Sequence, residues 1–344
     1  MLAGETPIPV AVVGAGAFGR NHARVYRQLE QAGEAVRLAA VTDVDLARAT
    51  ALARESGPEV AAFAGIEKLI AQGKIQAASV AVPTLEHLKV ASALMAAGID
   101  VLIEKPLAAT LAEADELIQL AQRHQRIAQV GHLERFNPAV QTTLPLVTRP
   151  MFFEVHRLSV FSPRSLDVDV VLDLMIHDLD VVLSMVNSPM KAVHAVGLPI
   201  LSRQVDIASV RLEFESGCVA NFTGSRVSTE KVRKLRFFQP RQYISVDYTR
   251  QDVLVFTVDG AAQPAASVVP GAPGSPIQVK KLEVRPQEPL QSELRAFLEA
   301  VRRRSRPLVP LEDGRRALAA ALQIQASIRE HSQRANLDAL YAQG

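Results

Sequence analysis

From residue 8 to residue 132, short apolar runs alternate with stretches whose apolar positions recur at helical spacing. Residues 10–13, 38–43, 77–82, 101–104 and 127–131 are the runs, rich in Val, Ile, Leu and Ala, and they read as strands of a buried sheet. The segments between them are rich in Ala, Leu, Glu and Arg. Residues 43–55 are one example; Leu111, Asp115, Ile118 and Ala121–Gln122 mark another. Five strands joined by crossover helices predict an α/β fold with a doubly wound parallel sheet.

Past Asn137 the pattern changes. Residues 151–161 read as a strand, and 168–186 as one long helix with apolar residues at nearly every third or fourth place. Six β-type runs then follow without helices between them: 207–215, 219–224, 232–238, 243–246, 253–258 and 277–284. Consecutive strands of this kind predict a large, mostly antiparallel sheet and an α+β second domain. Two amphipathic helices, 291–304 and 311–331, close the chain, the first with the stripe Leu294, Phe297, Leu298 and Val301.

Composition narrows the classes. The 344 residues allow about two domains at ~100–200 residues each. The 38 Lys+Arg nearly balance 36 Asp+Glu, so no nucleic acid or anionic membrane is expected as partner, and any anion site is local. The longest charge-free stretch, residues 260–279, carries Pro264, Pro270, Pro273 and Pro276 and reads as a loop, not a membrane span. The apolar run 8–13 leads into glycines without a basic flank, so no export signal is expected. Cys218 is the single cysteine, which fits a reducing compartment, and cytoplasm is the expected location. With no Trp, four Tyr and twelve Phe, recognition by ring stacking loses ground.

Candidate chemistry begins at Gly14-Ala15-Gly16-Ala17-Phe18-Gly19, directly after the first strand and at the mouth of a helix. In such a loop Gly14 permits the turn, Gly16 lets backbone approach a pyrophosphate, and Gly19 allows helix–strand packing, while the helix N-terminus offers free N–H groups. The next strand ends at Asp43, where a carboxylate can accept hydrogen bonds from ribose hydroxyls and repel a 2′-phosphate. Val44 follows instead of Arg, which favours NAD over NADP; a helix N-cap is the competing role for Asp43.

Val82-Pro83-Thr84 with His87, and Glu104-Lys105-Pro106, stand at the carboxyl ends of the third and fourth predicted strands, where open α/β sheets bind ligands. A lysine facing a crevice there can hydrogen-bond a substrate hydroxyl or exchange a proton with it; a surface lysine before a turn is the equal alternative. Farther on, Asp169, Asp173 and His177 are spaced to stack along one helix face among Val170, Val171, Leu172, Leu174, Met175, Ile176 and Leu179. A polar stripe on such a helix needs a partner or a purpose. No metal is expected, since neither a second histidine nor a cysteine lies nearby.

Taken in order, the Gly14/Gly16/Gly19 loop, Asp43, Pro83 with His87, Glu104-Lys105-Pro106 and Asp173-Leu174-Met175-Ile176-His177-Asp178 resemble the Gfo/Idh/MocA oxidoreductases along essentially the whole chain. The resemblance implies an NAD-binding Rossmann domain over residues 1–132. It implies a substrate-binding and oligomerisation domain over 133–344, with packing of the C-terminal helices back on the first domain left open. It further implies oxidation of a secondary alcohol, or the reverse, with Lys105, Asp173 and His177 in the catalytic roles. Cofactor contacts fall on Gly14, Gly16, Ala17, Phe18, Gly19, Asp43, Pro83, Thr84, His87, Glu104 and Lys105. A homodimer or homotetramer through the second sheet is also implied.

Residues 129–138, Gln-Val-Gly-His-Leu-Glu-Arg-Phe-Asn-Pro, resemble the nucleotide-sugar dehydrogenases of that family, those oxidising carbon 3 of UDP-N-acetylglucosamine in particular. Arg226, Lys231, Arg233 and Lys234 put four cations within nine residues, a cluster suited to a diphosphate or, equally, to a solvated turn. Arg135, Asn137, Arg157 and Arg164 are further substrate-binding candidates, alongside Lys105, Asp173 and His177. A free sugar, inositol, another small polyol or an imino acid is the alternative substrate, and a non-catalytic NAD-sensing regulator the alternative function.

Overall fold

The computed structural model of the chain describes residues 6–72, 74–161, 168–258 and 275–337. Two compact units make up the molecule: Met1–Phe136 with Glu288–Leu318, and Asn137–Gln287 with Ala319–Gly344. The first unit thus takes in residues from near the end of the chain as well as the N-terminal segment.

In the first unit the order is β1 (Ile8–Val13), α1 (Ala17–Gln31), β2 (Val36–Asp43), α2 (Leu46–Ser56), β3 (Ala61–Ala64), α3 (Ile66–Gln72), β4 (Ala77–Val80), α4 (His87–Ala96), β5 (Asp100–Glu104), α5 (Leu111–Arg123) and β6 (Ala128–Gly131). The six strands are parallel in the order β3-β2-β1-β4-β5-β6. The order reverses between β1 and β4, and the carboxyl ends flanking that point form the natural ligand crevice of such a sheet. β4 and β6 are buried throughout and β1 and β5 nearly so, which is why their sequences are mostly small or apolar residues with no polar-apolar alternation. The sixth strand, β3, was not among those predicted. Ala-Ala-Phe-Ala has little β-branched character, and an edge strand is held by its neighbour more than by its own preference.

The stripe predicted for the closing helix is real. Leu290, Leu294, Phe297, Leu298 and Val301 of the helix Pro289–Arg303 pack with Val25, Tyr26 and Leu29 of α1 in the core of this unit.

The second unit opens with α6 (Pro138–Thr143) and β7 (Phe152–Val160), then α7 (Ile176–Met185), β8 (Met190–Leu198), β9 (Ile207–Phe214), β10 (Val219–Ser228), β11 (Val232–Gln239), β12 (Gln242–Asp247), β13 (Asp252–Val258) and β14 (Ile277–Leu282). Counting Pro289–Arg303 as α8, the last helix is α9 (Leu311–Arg334). The eight strands run β14-β13-β12-β11-β7-β10-β9-β8, antiparallel except for the β7–β10 pair. Strand β8 also escaped prediction. Its inward Ala195 and Gly197 carry too little side chain to mark an alternating pattern.

The single long helix expected over 168–186 is broken in character. Val171–Met175 is a π-helical turn, and regular α-helix begins only at Ile176. Asp169 caps the turn, its carboxylate accepting from the backbone N–H of Val171 at 2.8 Å and of Leu172 at 3.1 Å, while Gln325 on α9 holds its other oxygen. Single π turns inside helices recur at functional sites.

Among the described residues no helix is long and apolar enough to cross a membrane. The expected loop 260–279 lies, through residue 274, outside them.

Candidate functional site

A cavity of about 800 Å³ lies at the carboxyl edge of the six-stranded sheet, lined along one wall by Gly14, Gly16, Ala17 and Phe18, on another by Thr42 and Asp43, and ending at Glu104 and Lys105. Gly14 has φ +99°, and a Cβ there would stand 2.4 Å from the carbonyl oxygen of Ala81, so only glycine lets β1 turn this tightly beside β4. Gly16 precedes α1 with no side-chain cap, and the first turn carries no acidic residue. The opening N–H groups and the positive end of the helix are left to an anion.

Asp43 is not the N-cap of α2; Asp45 is, accepting from Ala47 N–H at 2.9 Å. Asp43 accepts instead from Ala15 N–H at 2.7 Å and from Asp45 N–H at 2.9 Å, and so ties the end of β2 to the glycine loop. Each carboxylate oxygen keeps a second lone pair for a ribose hydroxyl. Val44 is 95% exposed, and Arg48 and Lys89 line the same cavity, two cations whose local sequence gave no signal of a site.

Pro83 and Thr84 also line the cavity; Gly19 and His87 do not. A Cβ on Gly19 would fall 1.8 Å from the Gly14 carbonyl oxygen, so this glycine packs α1 against the loop. His87 is 1% exposed, with Nε2 3.1 Å from Val82 O and Nδ1 3.1 Å from Pro106 O. It staples the end of β4 to the segment after Lys105 and has no face toward the cavity. Burial, opposed by these backbone hydrogen bonds, holds its proton affinity below the ordinary histidine value.

Glu104 receives a hydrogen bond from His22 Nε2 on α1 at 2.8 Å, and its other oxygen accepts from Lys105 N–H at 3.3 Å. Burial pushes this carboxyl up, but His22 and the Lys105 charge outweigh it and keep Glu104 below the usual carboxylate range. The Lys105–Pro106 peptide is cis. His132, one residue past β6 and 1% exposed, has no hydrogen-bond partner on either ring nitrogen among the described residues. Burial first, then the charges of Arg135 and Lys105, push it down to about 3, so the ring is neutral.

In the second unit, Asp173 lies inside the π turn and His177 is the second residue of α7. Their expected companion Asp169 is spent as the cap described above. The next residue along, Asp178, is 1% exposed and accepts from both Nε and Nη2 of Arg157 at 2.5 and 2.9 Å. The Arg157 guanidinium in turn sits 5.4 Å from the centroid of the Tyr248 ring. This ion pair anchors the start of α7 to β7.

Several residues expected to touch substrate are committed to such internal bonds. Arg226 is buried, donating to Asp206 at 2.9 Å and to the carbonyls of Val168 and Val205 at 2.6 and 3.1 Å. Arg135 is tied to Asp313 at 3.3 Å, and Asn137 caps α6 through Ala139 N–H while donating to Tyr248 O at 3.1 Å. A guanidinium or amide enclosed in this way cannot turn to a phosphate without leaving its partner bare. Of the cation cluster, Lys231 is exposed and Arg233 and Lys234 are half-buried on β11. Arg164 lies outside the described residues. No group of three His, Cys, Asp or Glu able to hold a metal occurs among the described residues. A second cavity of about 560 Å³, on the eight-stranded sheet, is lined by His156, His194, Arg211 and His331 and by none of the expected site residues.

In class, the first unit is a dinucleotide-binding oxidoreductase fold. Residues 8–132 match the family model described as "Oxidoreductase family, NAD-binding Rossmann fold", and residues 153–245 match the GFO/IDH/MocA C-terminal domain. UDP-N-acetylglucosamine 3-dehydrogenase of Acidithiobacillus ferrooxidans is 35% identical over 324 residues, 94% of this chain and 98% of the relative. A solved structure of that enzyme superposes with a TM-score of 0.84, 33% identity, and 94% and 98% of the two chains covered. The scyllo-inositol dehydrogenase of Lactobacillus casei, solved with NAD(H) and scyllo-inositol, shares the fold at 18% identity, with a TM-score of 0.76 over 95% and 98% of the chains. The chain belongs to the Gfo/Idh/MocA family of oxidoreductases, and its cofactor is NAD.

Proposed function

We propose that this protein oxidises the carbon-3 hydroxyl of UDP-N-acetylglucosamine to the 3-keto sugar with NAD. The observation that carries the reading is similarity along nearly the full length to an enzyme named for that reaction, spanning both the cofactor half and the half expected to hold substrate. NAD bound along Gly14–Phe18 and Asp43 supplies the hydride acceptor.

In this reading Lys105 hydrogen-bonds the alcohol oxygen and stabilises the negative charge that develops there. His177 takes the hydroxyl proton, and Asp173, four residues earlier, orients the imidazole and stabilises its charged form. The diphosphate falls to the exposed Lys231 and the half-buried Arg233; Arg226 and Arg157 are buried in their pairs with Asp206 and Asp178. A cytoplasmic location is part of the same reading.

Association of copies through the eight-stranded sheet is part of the same proposal. Phe152, Phe238, Tyr243 and Phe256 form a ladder of half-buried rings across β7, β11, β12 and β13, with centroids 5.7, 4.8 and 4.9 Å apart. Their strand neighbours Phe153 and Phe237 are fully buried on the opposite face. A contiguous apolar stripe of this kind is a natural contact for a second copy.

Formation of NADH, followed by absorbance with UDP-N-acetylglucosamine against myo-inositol and free N-acetylglucosamine, tests the reaction. Turnover of the nucleotide sugar alone is expected; turnover confined to the free polyol overturns the reading.

A further inference from the structure

We propose that His22 is a positioning residue for the reaction: through Glu104 it fixes an ionised carboxylate beside Lys105 and so sets the pH range over which Lys105 works. The inference rests on the reading of Lys105 as the group that meets the substrate oxygen.

Four observations converge on it. His22 is 1% exposed, three residues past Gly19 on α1, and reaches across to the end of β5 to bond Glu104 at 2.8 Å. Its Nδ1 is buried and has no partner among the described residues. The proton therefore belongs on Nε2, which donates to the carboxylate, and the imidazole serves Glu104 and nothing else. The second oxygen of Glu104 accepts from the Lys105 N–H at 3.3 Å, so the carboxylate is pinned at both ends.

The third observation is steric. Gly131 pairs with Glu104 across β5 and β6, and a Cβ at 131 would stand 3.1 Å from the Glu104 carboxyl carbon. The carboxylate fills the space that a side chain on β6 would take, and its orientation is walled as well as bonded. Fourth, both Glu104 and Lys105 line the dinucleotide cavity, and α1, which carries His22, also presents its N-terminus there. A single helix thus serves the pyrophosphate and the carboxylate beside the lysine.

The charged and titratable groups around Glu104 are His22 from α1, His87 from α4, His132 after β6 with Arg135 and Asp313 beyond it, and Lys105, the residue that follows it past the end of β5. His87 and His132 are both held toward the neutral form, which leaves His22 as the imidazole in direct hydrogen-bond contact. Burial on its own favours the protonated acid at Glu104. Without His22 the carboxyl gains a proton at higher pH, Lys105 loses its fixed counter-charge, and turnover loses its acid side first.

The test uses the full-length protein with His22→Leu, His22→Asn, His22→Gln, Glu104→Gln and Lys105→Met. Infrared titration of the protein without cofactor follows the Glu104 carboxyl, identified by the band that Glu104→Gln removes. The expected result is protonation at least one pH unit higher in His22→Leu. The acid limb of kcat/KM should move up by about the same amount and kcat should fall about tenfold, in line with an outer partner lost behind a catalytic group. His22→Gln, whose amide N–H can reach the carboxylate, restores both; His22→Asn, too short to reach, behaves like His22→Leu and replaces it if the leucine variant does not fold. An unchanged Glu104 titration overturns the proposal. So does a shifted titration with an unmoved rate profile while Lys105→Met is inactive. Wild-type turnover by Lys105→Met would instead bring down the reading of Lys105 itself.

Discussion

Arg157 holds both carboxylate oxygens of Asp178, the residue that follows His177, at 2.5 and 2.9 Å, with neither side chain more than 4% exposed. A bidentate pair this deeply enclosed is strong while intact and costly once broken, because the surviving charge has no water to turn to. Replacing Arg157 by Leu should lower unfolding free energy by about 3–5 kcal/mol, measured by chemical denaturation. Arg157→Lys cannot reproduce the planar fork and should recover only part of that loss. NAD affinity, which depends on the first unit, should stay unchanged while kcat falls. A variant as stable as wild type would show that the start of α7 is anchored by something else.

Gly19 offers a sharp test of the phosphate loop. A methyl group at this position meets the Gly14 carbonyl oxygen at 1.8 Å, and that atom is backbone, so the loop itself has to move. Gly19→Ala should weaken NAD binding by tenfold or more, on the order of 1.4 kcal/mol or greater, read by quenching or calorimetry. Gly16→Ala is the control for shape alone, since nothing stands within 4 Å of a Cβ there in the cofactor-free chain. Its defect should appear only when the pyrophosphate must come close.

Acid should destabilise the fold partly through His132. The unfolded chain takes a proton there as pH drops through about 6.5, whereas the folded chain does not until about 3. Between those values the unfolded state binds more protons, so stability falls as pH falls, by at most about 1.4 kcal/mol per pH unit from this one group. His87, also shifted downward by burial, adds in the same direction. His132→Phe should flatten the dependence of thermal midpoint on pH between 6 and 4. A slope equal to that of wild type would mean that His132 titrates normally in the folded protein.

The aromatic ladder predicts assembly. If Phe152, Phe238, Tyr243 and Phe256 are covered by a second copy, Phe238→Asp combined with Tyr243→Asp should yield a smaller species in sedimentation experiments, with Phe153 and Phe237 still buried in the core. Wild-type protein sedimenting as a monomer would remove this face from consideration.

The cysteine makes a simpler case. Cys218 is 2% exposed, and burial pushes its thiol up to about 11. It should resist thiol reagents in the native protein and react at once on denaturation, since the thiolate is the reactive form. Rapid native modification would point to local opening at the start of β10.

Much was determined by the sequence alone. The parallel sheet, the glycine loop, Asp43 and the lysine after β5 were legible because each depends on neighbours a few residues away: apolar runs mark buried strands, and glycines mark a turn that no side chain permits. The same local logic missed β3 and β8, whose alanines and glycine carry too little side chain for a pattern. It could not foresee that Val171–Met175 would wind as a π turn capped by Asp169. Only the tertiary structure decided which charges are free to act. Arg226 reads as a phosphate ligand beside other cations and Arg157 as a further substrate-binding candidate, but Asp206 and Asp178, 20 and 21 residues away, hold them in buried ion pairs. Glu104 and His22, 82 residues apart, gave no joint signal at all. Whether a cation serves a ligand or the fold is set by how deeply it is buried and which opposite charge is buried with it, and both follow from chain folding rather than from residue order.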